Sequence, residues 1–396
     1  MMNRRKNSAL PEGIRRAVDA EVFIFLALFL GFFTLCGVRM GMVNMLNTMM
    51  NTAYELLIDT VFYIMAIAVL AGAISALFSE FGVISLVNKL LSPLIHPIYG
   101  LPGASSVGIV TTYLSDNPAI LTLAHDNTFR RYFKKYQLPA LTNIGTSFGM
   151  GLIITTFMIS LKSPSGESFG LAALVGNIGA IVGSVISTRL MLRHTAKVYG
   201  KTDPCEITGN EEPIDANRFR VVRRGNAGTR FIDALLTGGK NGVEMGMAII
   251  PGVLIICTMV LMLTNGMPEN GYTGAAYEGI GLLPWIGAKL NFIIAPLFGF
   301  SSPEAVAVPI TALGAAGASI GIVEKLIAAG QANAHDIAVF TAMCMCWSGY
   351  LSTHVAMMDS LNCRSLTGKA IIYHTIGGLC AGVFANWLYT LITLVF

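Results

Sequence analysis

The sequence predicts an all-α polytopic membrane protein: an N-terminal helix followed by two inverted repeats, each with a re-entrant or broken helical hairpin. Composition, the spacing of apolar runs and an internal similarity predict this class. Of the 396 residues, 54% are hydrophobic and 12% are charged, whereas soluble domains carry about 25% charged residues. The mean hydropathy is +0.65. This composition excludes an ordinary soluble or a disordered protein, and the net charge of +4 does not indicate a nucleic-acid partner.

Seven apolar runs are long enough for membrane-spanning helices, which need about 20 mostly apolar residues. In chain order they are Val22–Val38, Thr60–Phe78, Leu138–Leu161, Phe169–Met191, Met245–Leu263, Ile337–Met358 and Ala370–Val395. The first run follows a basic N-terminus but has no small-residue cleavage site after it. It is therefore predicted to be a membrane helix and not a removed signal peptide.

Two further apolar regions, Val83–Leu123 and Ile280–Ile327, are too long for one helix and are interrupted near their middle. The interruptions are Pro93, Pro97, Pro102-Gly103, Asp116-Asn117-Pro118, Pro296, Ser301-Ser302-Pro303 and Pro309. Each region is predicted to form either two full helices or a re-entrant hairpin of two half-helices. Irregular backbone at membrane depth is tolerated only where protein or a water-filled cavity surrounds it.

The positions of Lys and Arg favour the same membrane topology for both broken regions. With a cytoplasmic N-terminus and two re-entrant regions, all but four of the 26 cations lie on the cytoplasmic side. The exceptions are Arg39, Lys162, Lys289 and Lys325. Two full helices in each region would give the same sidedness. We therefore predict a multi-pass protein of the cell inner membrane, with its N-terminus cytoplasmic and its C-terminus outside.

The two broken regions resemble each other at a fixed offset of 199 residues. His96–Gly100 aligns with Ala295–Gly299, and the same register carries Gly179 and Gly183 onto Gly378 and Gly382. Breaks, spans and charged loops follow this register, so we predict a true repeat. If the hairpins are re-entrant, the chain crosses the membrane an odd number of times between equivalent positions of the two repeats. The two repeats then have opposite orientations in the membrane. Secondary transporters recurrently use inverted repeats that hold substrate at the midplane on broken helices.

The two predicted hairpin tips are Leu101–Ser106 and Phe300–Glu304, where half-helices expose polar backbone groups to a solute. Hydroxyl and amide residues on the adjacent helices complete the predicted polar cavity. The predicted substrate-binding residues are Gly103, Ser105, Ser106, Asn117, Asn143, Thr146, Ser147, Ser301, Ser302, Glu304, Ser348 and Ser352. Small-residue helix packing is the alternative explanation for the residues on the helices.

Ionisable residues inside a membrane are costly, so each is a candidate for ion coupling. The candidates are Glu55, Asp59, Asp116, Glu244 and His354. Solvation at the membrane edge or capping of a helix end is the alternative for the acids, and burial in the core is the alternative for the histidine. The sequence has no Gly-x-x-x-x-Gly-Lys-Ser/Thr, His-Glu-x-x-His or Cys-x-x-Cys motif. We therefore expect no enzyme activity, no cofactor and no metal site.

Four segments resemble the nucleoside-recognition, or Gate-domain, family of membrane proteins. They are residues 71–108 (AGAISALFSEFGVISLVNKLLSPLIHPIYGLPGASSVG), Leu114–Ile120 (LSDNPAI), Thr146–Leu152 (TSFGMGL) and Gly239–Gly246 (GKNGVEMG). The family is similar to the hairpin region of concentrative nucleoside transporters, and it includes spore-maturation membrane proteins and gate segments of ferrous-iron transporters. The resemblance covers roughly Asn47–Trp387 and implies two Gate repeats, with nucleoside recognition as the function behind the family name.

The predicted organisation is a cytoplasmic N-terminus with the first membrane helix (1–45), a first Gate repeat (46–192), a cytoplasmic linker (193–235) and a second Gate repeat (236–396). The predicted function is secondary transport of a small polar solute, with a nucleoside-like solute as one candidate and Na⁺ or H⁺ as the coupling ion. The other partners expected are the lipid bilayer and a second copy of the chain. The alternative is a non-transporting scaffold or regulatory protein that binds a partner through the linker.

Overall fold

The chain is described in a computed structural model over residues 17–115, 117, 119–120, 124, 127–130, 132–205, 222–314, 316–350 and 352–395. This described part is helical with no β-strand. Six of its helices are long and apolar enough to cross a membrane. The predicted class, an all-α polytopic membrane protein, is confirmed.

In the first half of the chain, the described residues form seven principal helices and a short helical turn, Asn127–Arg130. The helices are α1 (Ala20–Met40), α2 (Met42–Glu80), α3 (Val83–Tyr99), α4 (Ser105–Leu114), α5 (Ala140–Phe148), α6 (Gly151–Ser160) and α7 (Gly170–Tyr199). Asp19 begins α1 by accepting a hydrogen bond from the Glu21 backbone N–H at 3.0 Å. Helix α2 contains a π-helical segment, Leu56–Val61.

In the second half, the described residues form eight helices. They are α8 (Ala227–Thr264), α9 (Leu282–Lys289), α10 (Asn291–Phe298), α11 (Ala307–Gly314), α12 (Ala316–Ala328), α13 (Ala334–Cys346), α14 (Ser352–Ser360) and α15 (Thr367–Val395). Short 3₁₀ turns, Pro303–Val306 and Arg364–Leu366, precede α11 and α15. The long helix α8 also contains a π-helical segment, Val253–Cys257.

The two proline-interrupted regions consist of helices too short to cross the bilayer singly. In the first region, α3 has 17 residues and α4 has 10. In the second, α9, α10 and α11 have 8 each and α12 has 13. A span needs about 20, so these lengths favour re-entrant hairpins. Helix α3 continues through Pro93 and Pro97 and ends at Gly100, whose φ is +79°. The first turn therefore comes later than either of these prolines.

Helices α2 and α8 pack closely through glycine. A Cβ on Gly72 would lie 2.4 Å from the Gly238 carbonyl oxygen, and one on Gly242 would lie 2.4 Å from the Ala68 carbonyl oxygen. Side chains here would force the backbones apart, as in other small-residue membrane interfaces. Residues later in α2 contact residues earlier in α8, so the two helices are antiparallel.

Helices α7 and α15 meet in the same way. A Cβ on Gly183 would lie 2.4 Å from the Gly377 carbonyl oxygen, and one on Gly179 would lie 2.8 Å from the Ala381 carbonyl oxygen. This pair is also antiparallel. In the predicted repeat, α2 corresponds to α8 and α7 to α15, so an inversion requires these counterparts to run in opposite directions. The inverted repeat itself remains a prediction.

We expect Gly183→Val to destabilise the protein, because the added side chain would meet the Gly377 backbone. Overpacking of this kind typically costs about 1–3 kcal/mol, which is measurable as a lower melting temperature in detergent. Gly31→Val in α1 is the matched control, since a Cβ at Gly31 has no atom within 4 Å. Equal melting temperatures for the two variants would show that the α7–α15 contact is not tight.

The most buried helices are short ones. All nine residues of α5 are buried, and in α13 every residue except His335 is buried. The long helix α7 contacts both α5 and α13, and α15 contacts them as well. The centre of the molecule is therefore occupied by helices that end at mid-span.

Candidate functional site

Two of the predicted spans are broken at their middle. The span that contains α5 and α6 is interrupted at Gly149 and Met150, and Met150 adopts a left-handed φ of +56°. The span that contains α13 and α14 is interrupted after Trp347, and Gly349 has a φ of +65°. A broken helix exposes N–H and C=O groups that the intact helix would satisfy. Both breaks therefore bring polar backbone into the protein interior.

Asn117 lies between the two breaks. It is 2% exposed, and its Nδ2 donates a 2.9 Å hydrogen bond to the Ser348 carbonyl oxygen in the second break. Its side chain also fills the space beside Gly149 in the first break, where a Cβ would lie 1.7 Å from Asn117 Oδ1. One amide side chain therefore contacts both interruptions.

Three of the predicted binding serines, Ser105, Ser302 and Ser348, have buried hydroxyl oxygens without a hydrogen-bond partner in the described part of the chain. Ser348 is in the second break and Ser105 is in the first turn of α4; these two residues are fully buried. A buried polar atom without a partner costs about 1–3 kcal/mol. Ser348 Oγ, next to Asn117, is accordingly the hydroxyl best placed to bind a solute in the breaks.

His354 joins α14 to α5. Its Nε2 lies 3.2 Å from Thr142 Oγ1, and its Nδ1 lies 3.1 Å from Thr146 Oγ1. A neutral imidazole has one donor and one acceptor nitrogen, so it donates to one threonine and accepts from the other. The ring is fully buried. The structure thus brings the predicted residues Thr146 and His354 together.

A second buried histidine continues this polar cluster. His374 lies with its ring centroid 5.1 Å from that of His354, and its Nε2 donates to the Cys346 carbonyl oxygen. Neutral His374 therefore accepts at Nδ1 from Ser187 Oγ, 3.0 Å away. Ser187 in turn accepts from Asn143 Nδ2 at 2.7 Å. A continuous hydrogen-bond chain thus joins α5, α7, α15 and the end of α13.

Ser147, Ser168 and Ser319 each match the Gly-x-Ser-x-Gly pattern of serine hydrolases. That pattern requires an exposed serine on a sharp strand-to-helix turn. Ser147 and Ser319 are fully buried within helices, where Ser147 Oγ donates to the Asn143 carbonyl oxygen and Ser319 Oγ to the Ala316 carbonyl oxygen. Ser168 is exposed, but it lies in the segment between helices α6 and α7 and does not follow a strand. None of the three has the setting of that nucleophile.

The first predicted tip is the turn between α3 and α4. Gly103 packs against Ser92, whose Oγ would lie 2.1 Å from a Cβ on this glycine. Ser106 Oγ donates to the Gly103 carbonyl oxygen at 2.8 Å. The contact with Ser92 ties the turn to α3. Beyond the turn, Tyr113 of α4 packs against Gly151, which follows the first break, and Asn117 contacts both breaks.

The second predicted tip, between α10 and α11, contacts the start of α13. The Ser301 backbone N–H donates to Asp336 Oδ1 at 3.0 Å, and its hydroxyl donates to Asp336 Oδ2. Asp336 belongs to the capping box that Asn333 forms at the start of α13. Ser302 and Glu304 are half-buried, and Ser302 Oγ has no partner in the described part of the chain. Sequence reasoning missed Asp336, although the Asn-x-x-Asp spacing signals a capping box.

The predicted coupling acids that the structure describes, Glu55, Asp59 and Glu244, lie elsewhere. Glu55 and Asp59 approach the half-buried Tyr277, whose pKa is raised by burial and then by the charges of Glu55, Asp59 and Glu324. Glu324 accepts from Thr60 Oγ1 at 3.2 Å. Sequence reasoning did not select Glu324 as a candidate. The remaining acid, Glu244, is exposed on α8.

Two predicted residues cannot be placed. Asp116 lies outside the described residues, and the side chain of Ser352 does as well. Within the described residues, no group of three His, Cys, Asp or Glu side chains is positioned to hold a metal ion.

The fold is similar to that of CNTnw, a concentrative nucleoside transporter, in an inward-facing substrate-bound state. The TM-score is 0.51 at 14% identity, and the match covers 84% of this chain and 79% of that chain. A structure of substituted CNTnw in an outward-facing state matches with a TM-score of 0.49 and the same identity and coverage. No protein-family model matches the chain, and no curated protein matches it either.

Proposed function

We propose that the chain is a secondary transporter that binds a small polar solute between the break of α5 and α6 and the break of α13 and α14. The observation that carries this proposal is Asn117, which contacts Gly149 in one break and Ser348 in the other. Broken helices with polar backbone at the membrane midplane are the substrate sites of many transporters. The similarity of the fold to a transporter supports the same function.

The chemistry of the site favours an uncharged solute that forms hydrogen bonds. In the described residues, the site offers an amide, hydroxyls, imidazoles and exposed backbone groups, and the described carboxylates discussed above lie elsewhere. These groups can donate and accept but do not neutralise a charge. A nucleoside is such a solute, and the fold similarity to CNTnw supports this class.

Alternating access follows from the breaks in the proposed mechanism. Each break divides a span into two half-helices, so the halves on one side can move while those on the other stay packed. Asn117 would close the path by holding the Ser348 carbonyl, and a bound solute would compete for that bond. Coupling to Na⁺ or H⁺ completes the proposal, with the acids near Tyr277 and the buried His354 as candidate sites.

The proposed architecture follows the sequence prediction. A cytoplasmic N-terminus with the first membrane helix (1–45) precedes two inverted repeats (46–192 and 236–396), which a cytoplasmic linker (193–235) separates. The antiparallel packing of α2 on α8 and of α7 on α15 supports the inversion. The proposed membrane is the inner membrane, with the N-terminus cytoplasmic and the C-terminus outside.

Uptake into proteoliposomes tests the proposal. The purified chain would be reconstituted and offered labelled uridine, adenosine and a set of amino acids under an imposed Na⁺ or H⁺ gradient. We expect accumulation of at least one solute above protein-free vesicles, and loss of accumulation when an ionophore removes the gradient. Uptake that does not depend on either gradient would contradict coupling.

The linker provides a test against the scaffold alternative. Because the proposed site lies in the helix breaks, deletion of residues 206–221 is expected to leave uptake within about twofold of the parent, whereas Ser348→Leu is expected to lower it by about tenfold by filling a buried polar position in the second break. The measurement is the initial uptake rate per reconstituted protein. If the deletion abolished uptake while Ser348→Leu had no effect, the transport site would be misassigned.

A further inference from the structure

A basic pocket lies at the C-terminal end of α7, apart from the helix breaks. Its volume is about 460 Å³, and its lining includes Arg189, Arg193, Lys197, Lys201, Gly100 and Tyr136. Arg189, Arg193 and Lys197 follow one another at intervals of four residues, so they lie on one face of α7 over about 12 Å. Lys201 follows the end of the helix, after Gly200.

The length of α7 places these cations at the membrane surface. The helix has 30 residues and is therefore about 45 Å long, whereas the hydrocarbon core is about 30 Å thick. The apolar part of α7 ends where Arg189 begins the basic row. Arg193 and the two lysines then lie at the level of the lipid headgroups. The distribution of Lys and Arg predicts that this side is cytoplasmic.

Hydrogen bonds between the surrounding segments hold the walls of the pocket together. Arg189 Nε donates to the Ile98 carbonyl oxygen at 2.9 Å. Thr195 Oγ1 donates to the Tyr136 carbonyl oxygen at 2.6 Å, which holds the segment before α5 against α7. The backbones of α3 and of this segment therefore form the walls.

Three of the cations that line the pocket are available to a ligand. Arg193, Lys197 and Lys201 are exposed, and the ion pairs found in the described part of the chain involve other cations. Arg189 is used to cap the end of α3. The pocket thus presents a guanidinium and two ammonium groups, which bind phosphate oxygens through charge-assisted hydrogen bonds.

We propose that this basic pocket binds the phosphate of an anionic phospholipid headgroup. A basic pocket between membrane helices at the cytoplasmic surface is the arrangement that recognises such headgroups. The concave walls distinguish it from a general surface attraction. A lipid bound here would bridge α3, the segment before α5 and α7.

The test compares lipid binding by two variants with the same loss of charge. The pocket variant is Arg193→Gln/Lys197→Gln/Lys201→Gln, and the control is Arg224→Gln/Lys240→Gln/Lys369→Gln, whose three cations are exposed outside the pocket. Short-chain phosphatidylglycerol and phosphatidylcholine would be titrated into detergent-purified protein, with bound lipid counted by native mass spectrometry. Glycerol 3-phosphate would be titrated separately as a soluble source of phosphate.

We expect the parent and the control to prefer phosphatidylglycerol, and the pocket variant to bind it at least tenfold more weakly, since each cation near an anionic headgroup contributes about fivefold. Equal weakening in both variants, or no preference for phosphatidylglycerol in the parent, would overturn the proposal. Binding of glycerol 3-phosphate as tight as that of the lipid would also overturn it and assign the pocket to a soluble phosphate. Melting curves of both variants establish that each is folded.

Discussion

Gly149→Ala is expected to reduce solute uptake by at least about tenfold, because one added methyl would displace the side chain that joins the two helix breaks. The new Cβ would lie 1.7 Å from Asn117 Oδ1 and 2.5 Å from its Cγ. Neither distance is compatible with van der Waals contact, so Asn117 must leave its bond to the Ser348 carbonyl. The measurement is the initial rate in proteoliposomes for the solute that the uptake panel identifies.

Two further variants separate this effect from a general loss of structure. Gly170→Ala is the matched control, because a Cβ at Gly170 has no atom within 4 Å. Asn117→Ala removes the atoms that clash, so we expect Gly149→Ala to lower uptake little further in an Asn117→Ala background. Such non-additivity is the mark of two residues that act through one contact. Independent, additive losses would show that Gly149 and Asn117 do not act together.

His354→Leu is the second substitution with a large expected effect. It removes the ring that contacts Thr142 and Thr146 and leaves two hydroxyls in a fully buried site. Loss of buried hydrogen bonds of this kind costs about 1–3 kcal/mol, so the melting temperature should fall. Uptake should fall as well, since α14 would lose its polar connection to α5 beside the break.

His96→Leu is the control for this substitution, because His96 is exposed on α3. His354→Gln retains a donor and an acceptor and is expected to recover part of the melting temperature. An unchanged melting temperature and uptake rate in His354→Leu would mean that the buried imidazole is only a space-filling group.

The helical architecture could be predicted from the sequence because it depends on local composition. The run Val22–Val38 lies within α1, and Thr60–Phe78 lies within α2. A bilayer requires every backbone group to be satisfied within the segment, so a long apolar run has few alternatives to a helix. Local proline positions were less informative, since α3 continues through Pro93 and Pro97.

The arrangement of the candidate site could not be predicted in the same way, because it depends on distant contacts. Asn117 was selected from its local sequence, but its partner Ser348 is 231 residues away. The break at Gly149 lies in an apolar run whose one proline, Pro139, comes before α5, so the local signal at the break itself is glycine, which is common in membrane helices. The roles of Asp336 and Glu324 likewise depend on Ser301 and Thr60, far apart in the sequence.

The central claim is that the two breaks line a path that opens alternately to the two sides of the membrane. Its most direct test is the labelling of Ser348→Cys, in a background without the seven native cysteines, by a membrane-impermeant maleimide applied to either side of oriented vesicles. Ser348 is fully buried in the present conformation, so labelling reports opening and needs no knowledge of the solute. The proposed function predicts labelling from each side; labelling from one side only, or from neither, would contradict it.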